Sequence, residues 1–202
     1  MESVSSISSK ESLLKIKLLE FYTQSNLKIL LPIILQQTRL SLRSLDWFVT
    51  NYSKKYNTSY IFSKNGENIT YFPFKNYKSQ LKAYSKKFCD PFCRRERVIF
   101  DYRKMEIIDF QNDIKMSHKD YIITTIGQLN FFRFAISDNI INYAIEHIEE
   151  IENDMNSTLK EREHEKKSVN FMEVKSIKRK ELSVPGNKSV HITRISAVIK
   201  FV

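Results

Sequence analysis

An α+β fold is what this sequence predicts: about four main helices packed on short antiparallel β-hairpins, with a β-rich C-terminal segment. Three observations carry that prediction. Apolar residues recur every three or four positions in several long stretches, which is the pattern of helices with one buried face. Between those stretches the period drops to two around turn signals such as Asn65-Gly66, the pattern of hairpins. Glycine and proline number only three and four in 202 residues, while 42% hydrophobic and 12% aromatic content supplies a core. That composition excludes loop-rich, collagen-like and disordered classes.

The elements follow in order. Residues 1–11 are polar and Ser-rich and are expected to form a disordered N-terminus. They lack the apolar run of a secretory signal. A core domain is expected over 12–160. Ser12 is a candidate N-cap for a helix from Leu13 to about Gln24, with Leu14, Leu18 and Phe21 on one face. A second helix is expected from near Pro32 to Lys54, where Leu42, Leu45, Val49 and Tyr52 recur at helical spacing and point inward with Trp47 or Phe48. Ser59–Ser63 and Ile69–Phe72 read as strands around Asn65-Gly66. A helix fits Lys75–Phe88 and stops at Asp90-Pro91. Arg97–Tyr102 and Met105–Phe110 read as a second hairpin. A helix is expected over Tyr121–Ile136, and another after Asp138 as cap, with Ile141, Ile145, Ile148, Ile151 and Met155 in register. Residues 161–167 are a charged run, expected as an exposed linker. Ser168–Ile177 and Ser189–Val202, within a C-terminal segment 168–202, have β-type composition around a turn at Pro185-Gly186.

Charge is segregated along the chain. The total is +10. Residues 1–41 carry +2, 42–104 carry +9, 105–165 carry −8 and 166–202 carry +7. A basic block, an acidic helical block and a basic tail therefore succeed one another. The acidic helix can dock on a basic surface of its own chain, or it can confine polyanion binding to one face by repelling phosphate elsewhere.

The sharpest candidate is the helix at 75–88. At 100° per residue Tyr77, Leu81, Tyr84 and Phe88 form an apolar stripe, and Lys75, Lys78, Lys82 and Lys86 fall opposite. Read functionally, the lysines track a phosphate backbone, with Arg94, Arg95 and Arg97 adding fork-shaped donors and Tyr77 or Tyr84 available to stack on a base. Read blandly, this is a core helix with a solvated lysine face. Lys178, Arg179 and Lys180 form a second basic cluster, which serves equally well as a nucleic-acid contact or as the guarded side of an edge strand.

Other chemistries find little support. Cys89 and Cys93 are the only cysteines, and zinc needs four ligands while the four histidines are scattered. Two small thiols beside a tight turn are the simpler reading, and no disulfide is expected in a reducing compartment. Glu146, Glu149, Glu150, Glu152 and Asp154 mostly lie opposite the Ile stripe and read as a solvated face. Phe131 and Phe134, in an aromatic run that could dock a partner, read first as core. There is no phosphate-cradling glycine loop and no nucleophile or zinc-protease motif. No catalytic residue, metal or cofactor is expected, and the chain is expected not to be an enzyme. The longest apolar stretch, Ile29–Leu35, is too short to cross a bilayer, so no membrane partner is expected.

Several blocks resemble a known family. Leu45–Lys55, Tyr77–Lys87, Asp90–Arg95, Thr124–Phe132 and Lys178–Val184 are similar to blocks of an uncharacterised protein family of nucleocytoplasmic large DNA viruses, the mimivirus-like and algal viruses, over roughly residues 40–202. The resemblance implies a viral protein made in an infected eukaryotic cell, in the cytoplasmic viral factory, the nucleus or the virion. It carries no activity, and it suits a role in replication, late transcription or packaging. The leading expectation is a non-enzymatic nucleic-acid-binding protein, for DNA or RNA. The alternative is a virion structural or scaffold protein whose copies, or a viral partner, meet through acidic-helix to basic-block contacts.

Overall fold

A computed structural model describes residues 10–172, apart from 65, 94–95, 112–115 and 117. The chain divides into two units, Met1–Lys160 and Glu161–Val202. The sheets, the core and every site below belong to the first. The expected segment at 173–202 and its turn lie outside the described residues.

The fold is α+β. Helix α1 (Lys10–Phe21) buries Leu14 and Leu18, and α2 (Gln24–Ile34) buries Leu27, Leu30 and Ile33. The first helix starts at Lys10, so Ser12 is not its cap. The helix expected over Pro32–Lys54 is corrected. Pro32 lies inside α2, which stops before Gln36 at φ 57°. The chain restarts at Ser41, whose Oγ accepts from the Ser44 N–H at 3.0 Å. A side-chain oxygen satisfying an orphan donor of the first turn is a sufficient start signal, worth about 1 kcal/mol. From there α3 (Leu42–Trp47), a π-helical segment (Phe48–Tyr52) and α4 (Ser53–Lys55) follow without interruption, burying Leu45, Phe48 and Val49.

Strands β1 (Tyr60–Lys64) and β2 (Glu67–Tyr71) pair antiparallel, with Lys64 opposite Glu67. Gly66 supplies the left-handed φ of 85° that the tight turn requires. Helix α5 (Pro73–Tyr84) begins on a proline, which loses no hydrogen bond at that position. Ser85 at φ 65° ends it, and a 3-10 turn over Lys86–Phe88 follows.

The second sheet has the order β4-β3-β5, from β3 (Arg97–Asp101), β4 (Glu106–Asp109) and β5 (Tyr121–Thr125), all antiparallel. Here the expected helix over Tyr121–Ile136 is also corrected. Its first five residues are β5, and only Ile126–Ser137 are helical, as α6. Ile122 and Ile126 share the spacing of a helical face. Yet Tyr-Ile-Ile-Thr-Thr is a β-branched run, and Thr125 Oγ1 accepts from the Gln128 N–H at 3.1 Å to cap α6 at that boundary.

Helix α7 (Ile140–Glu146) follows Asn139, at φ 58°, rather than Asp138. The Asp138 side chain faces the first hairpin instead, accepting from Tyr71 Oη at 2.9 Å and Lys64 Nζ at 2.6 Å, while its carbonyl accepts from Tyr60 Oη at 2.6 Å. Helix α8 (Ile148–Met172) continues through 161–167, so the charged run is helical, and the division between the two units falls at its start.

Helix α6 runs through the middle of the core. Leu129, Phe131, Phe132, Phe134 and Ala135 are all buried, and Tyr22 Oη donates to the Leu129 carbonyl at 2.5 Å. Phe131 and Phe134 are therefore core residues and offer no docking surface. Each large apolar side chain buried there contributes about 1.5–3 kcal/mol. The turn after α5 approaches α6 so closely that a Cβ on Gly127 would sit 2.7 Å from the Lys87 carbonyl oxygen. Asn130 Nδ2 donates to the Phe88 carbonyl at 2.7 Å in the same contact. Gly127 and Asn130 thereby fix where α5 ends and where its lysines stand.

Candidate nucleic-acid interface

The lysine face of α5 exists as the periodicity predicts. Lys75, Lys78 and Lys82 are exposed on one side of the helix, three and four residues apart, and Lys86 continues the exposed row in the 3-10 turn. At 1.5 Å per residue the helical members advance about one turn, roughly 5 Å, at each step. Residues 68–89 contain no Asp or Glu. Among the described residues no carboxylate forms an ion pair with Lys75, Lys78, Lys82 or Lys86. Lys87 differs: it pairs with Glu96 at 2.6 Å and Glu11 at 3.5 Å.

The structure adds two cations that sequence reasoning missed. Lys54 of α4 stands over the Phe74 ring, 5.6 Å from its centroid, and lines a cavity of about 210 Å³ together with Lys75, itself 4.5 Å from the Phe72 ring centroid. Lys10 donates to the Ala83 carbonyl at the C-terminal end of α5. Neither is adjacent to α5 in sequence, so no local pattern could reveal them.

The aromatic residues behave differently from the stacking expectation. Tyr77 is 4% exposed, donates from its hydroxyl to the Cys89 carbonyl at 3.3 Å, and packs against Phe131 and Phe134. It is a core residue and presents no face to a base. Tyr84 is half-buried, with Lys10 and Arg133 over its ring at 5.6 Å and 5.8 Å. A tyrosine on the apolar stripe of an amphipathic helix packs inward, and its ring is spent there.

Arg97 is exposed but stands apart from the ladder. It lines a cleft of about 600 Å³ with Glu11, Glu96 and Asp109, a poor setting for phosphate. Arg94, Arg95, Lys178, Arg179 and Lys180 lie outside the described residues. Cys89 is buried, with its thiol pushed up to about 12 by burial, and Cys93 is half-buried; neither forms a disulfide. Among the described residues no three His, Cys, Asp or Glu side chains gather as a cation site, and no helix is long and apolar enough to cross a membrane.

The acidic block is engaged within its own chain. Buried Asp154 accepts from Lys55 Nζ at 2.5 Å, Tyr56 Oη at 3.1 Å and Trp47 Nε1 at 2.9 Å. Burial opposes its ionisation, but these three donors outweigh burial and hold the carboxyl below its ordinary range. Arg39 meets Glu149 at 3.0 Å and Glu152 at 3.2 Å, and Tyr52 Oη donates to Glu150 at 2.9 Å. So α8 neutralises Arg39 and Lys55, and none of its described carboxylates pairs with an α5 lysine.

Fold and surface together describe a small α+β protein in which the acidic helix α8 pairs with Arg39 and Lys55 while the lysines of α5 have no described carboxylate partner. The chain belongs to a family of unknown function, DUF7197, whose sequence profile matches residues 4–199. The family thus includes α1 and α2 as well as the blocks at 40–202. An uncharacterised protein of Acanthamoeba polyphaga mimivirus is 39% identical over 148 residues, 72% of this chain and 52% of that protein. The chain spans about half the length of this curated relative. That likeness agrees with the viral family the sequence blocks resemble. No solved structure matches the chain.

Proposed function

We propose that this protein binds nucleic acid without catalysis, through phosphate contacts from Lys75, Lys78, Lys82 and Lys86 with Lys54 beside them. The observation that carries the reading is the lysine ladder on α5, which has no carboxylate partner among the described residues, while Glu149, Glu152 and Asp154 of the acidic helix are paired with Arg39 and Lys55. An ordinary solvated lysine face is usually interspersed with acidic residues, and here 68–89 holds none. Lysine is a point charge suited to backbone contact and not to base reading, so binding tolerant of sequence is the expected mode. Tyr77 has no part in it. In a family with a mimivirus member, replication, late transcription and packaging are the settings such binding suits.

The test is binding of the purified, nuclease-treated full chain to short single- and double-stranded DNA and RNA over a salt series. Salt-sensitive binding supports the reading and identifies the polymer. No binding to any of the four at low salt removes it.

A further inference from the structure

The three-stranded sheet has two unlike edges. The β4 edge is guarded: its strand begins and ends on Glu106 and Asp109, and Asp109 is paired with Lys15 at 2.8 Å. The β5 edge is not. Tyr121–Thr125 carries no charge and no proline, and among the described residues β5 pairs only with β3. Ile123, in the middle of it, is 50% exposed. Proteins blunt exposed edges with charge, proline or a bulge, because an unguarded edge templates a further strand.

Beside that edge lie two clefts, of about 430 and about 390 Å³, which share Leu42, Phe92 and Gln128 and so form one groove. Its walls mix apolar side chains such as Leu42 and Ile123 with the polar Thr124, Thr125 and Gln128, and Phe92 is 46% exposed within it. Arg97 borders one cleft and Arg43 the other, and no carboxylate lines either. Neither arginine forms an ion pair with a described residue. Gln128 Oε1 accepts from Thr124 Oγ1 at 2.6 Å, which leaves its amide N–H donors unpartnered among the described residues.

We infer that this groove binds an extended acidic peptide of a partner protein, which adds as a strand to β5. Main-chain hydrogen bonds to β5 would supply affinity, and alternate side chains would supply specificity. One large apolar side chain packs against Phe92, Leu42 and Ile123, and a flanking Asp or Glu residue meets Arg43, whose cleft holds no carboxylate. The open strand edge favours a peptide, whose main chain can match its donors and acceptors, over a nucleic-acid strand. The site is separate from the α5 ladder, so it stands or falls independently of nucleic-acid binding.

The test is fluorescence anisotropy with the full chain and a short labelled peptide alternating Leu with Glu. Controls replace Glu by Lys or Leu by Ser. Saturable binding of the Leu/Glu peptide alone is expected, weakened at least about tenfold by Ile123→Lys and by Arg43→Glu. Both residues point outward, and unchanged thermal melting of the variants confirms that the fold is kept. The inference is overturned if the Lys peptide binds as well, if no peptide binds, or if neither variant changes affinity. It is also overturned if an oligonucleotide displaces the peptide, which assigns the groove to nucleic acid. A dimer of the free protein that Ile123→Lys dissolves assigns it instead to a second copy.

Discussion

Replacing Lys78 and Lys82 by Gln is the most informative perturbation of the α5 face. Both side chains are exposed and neither has a described carboxylate partner, so the change removes charge without unfolding cost. If Lys75, Lys78, Lys82 and Lys86 each neutralise one phosphate of a duplex, log K falls with log salt at a slope of about −3.6, since each contact contributes about 0.9. Between 50 and 200 mM salt such a protein loses roughly 150-fold in affinity. The double variant keeps two contacts, a slope of about −1.8 and a loss of roughly 12-fold. Anisotropy or filter binding on a labelled duplex at four or more salt concentrations measures both slopes. A double variant with the wild-type slope refutes the assignment even if its affinity falls, because the lost affinity would then have another origin.

Other substitutions test the supports of that face. Gly127→Ala gains helix propensity of about 1 kcal/mol, but its Cβ meets the Lys87 carbonyl at 2.7 Å, and overpacking costs about 1–3 kcal/mol. A net loss in chemical denaturation is expected, and a gain would show that the 86–90 turn yields. Asp154→Ala strips three donors of their acceptor and is expected to lower stability by about 1–3 kcal/mol. Because the Asp154 carboxyl is held below its usual range, its contribution is present at neutral pH and lost as pH falls through the folded-state value, so the variant's deficit shrinks in acid. Asp46 runs the other way. Burial, and then the charge of Asp90, raise it to about 6. Its ionisation costs stability, increasingly from pH 3.8 up to about 6 and fully above that. Asp46→Asn is expected to stabilise at pH 7 by roughly 1–3 kcal/mol, and the gain should vanish towards pH 4 in parallel melts.

Much of the fold was legible where one signal acted alone. The Asn65-Gly66 hairpin, the second hairpin at 97–110 and the α5 amphipathicity each follow from a local pattern with a local cause. The errors fall where two patterns coincide. Ile122 and Ile126 fit a helix face, yet β-branching and the Thr125 cap draw the boundary between them. Pro32 looked like a start, but the chain restarts at the Ser41 cap, a weaker signal in the sequence. The lysine ladder was legible for the same reason as α5 itself. Lys54 and Lys10 were not, because tertiary packing alone brings them to its ends. The β5 groove was hidden too, since its walls come from α3, the 91–93 turn, β5 and α6.

The alternation of charge along the chain acquires its meaning from that packing. An acidic helix of this composition facing solvent would draw other copies' lysines and compete with phosphate for its own. Docked on α3 and α4, it spends Glu149, Glu150, Glu152 and Asp154 on Arg39, Tyr52, Lys55, Tyr56 and Trp47. Exposed pairs such as Arg39 with Glu149 contribute little to stability, about 0–1 kcal/mol. Their effect on recognition is larger, because a paired lysine offers phosphate less than a free one. Among the described residues the α5 lysines have no carboxylate partner, because 68–89 lacks acidic residues and α8 spends Glu149, Glu152 and Asp154 on Arg39 and Lys55. Scaffold assembly through the same acidic helix would have to break the pairs made by Glu149 and Glu152 or rely on carboxylates outside them, such as Glu146 of α7. Phosphate binding by α5 requires no such rearrangement, and that difference in cost is what ranks the two readings.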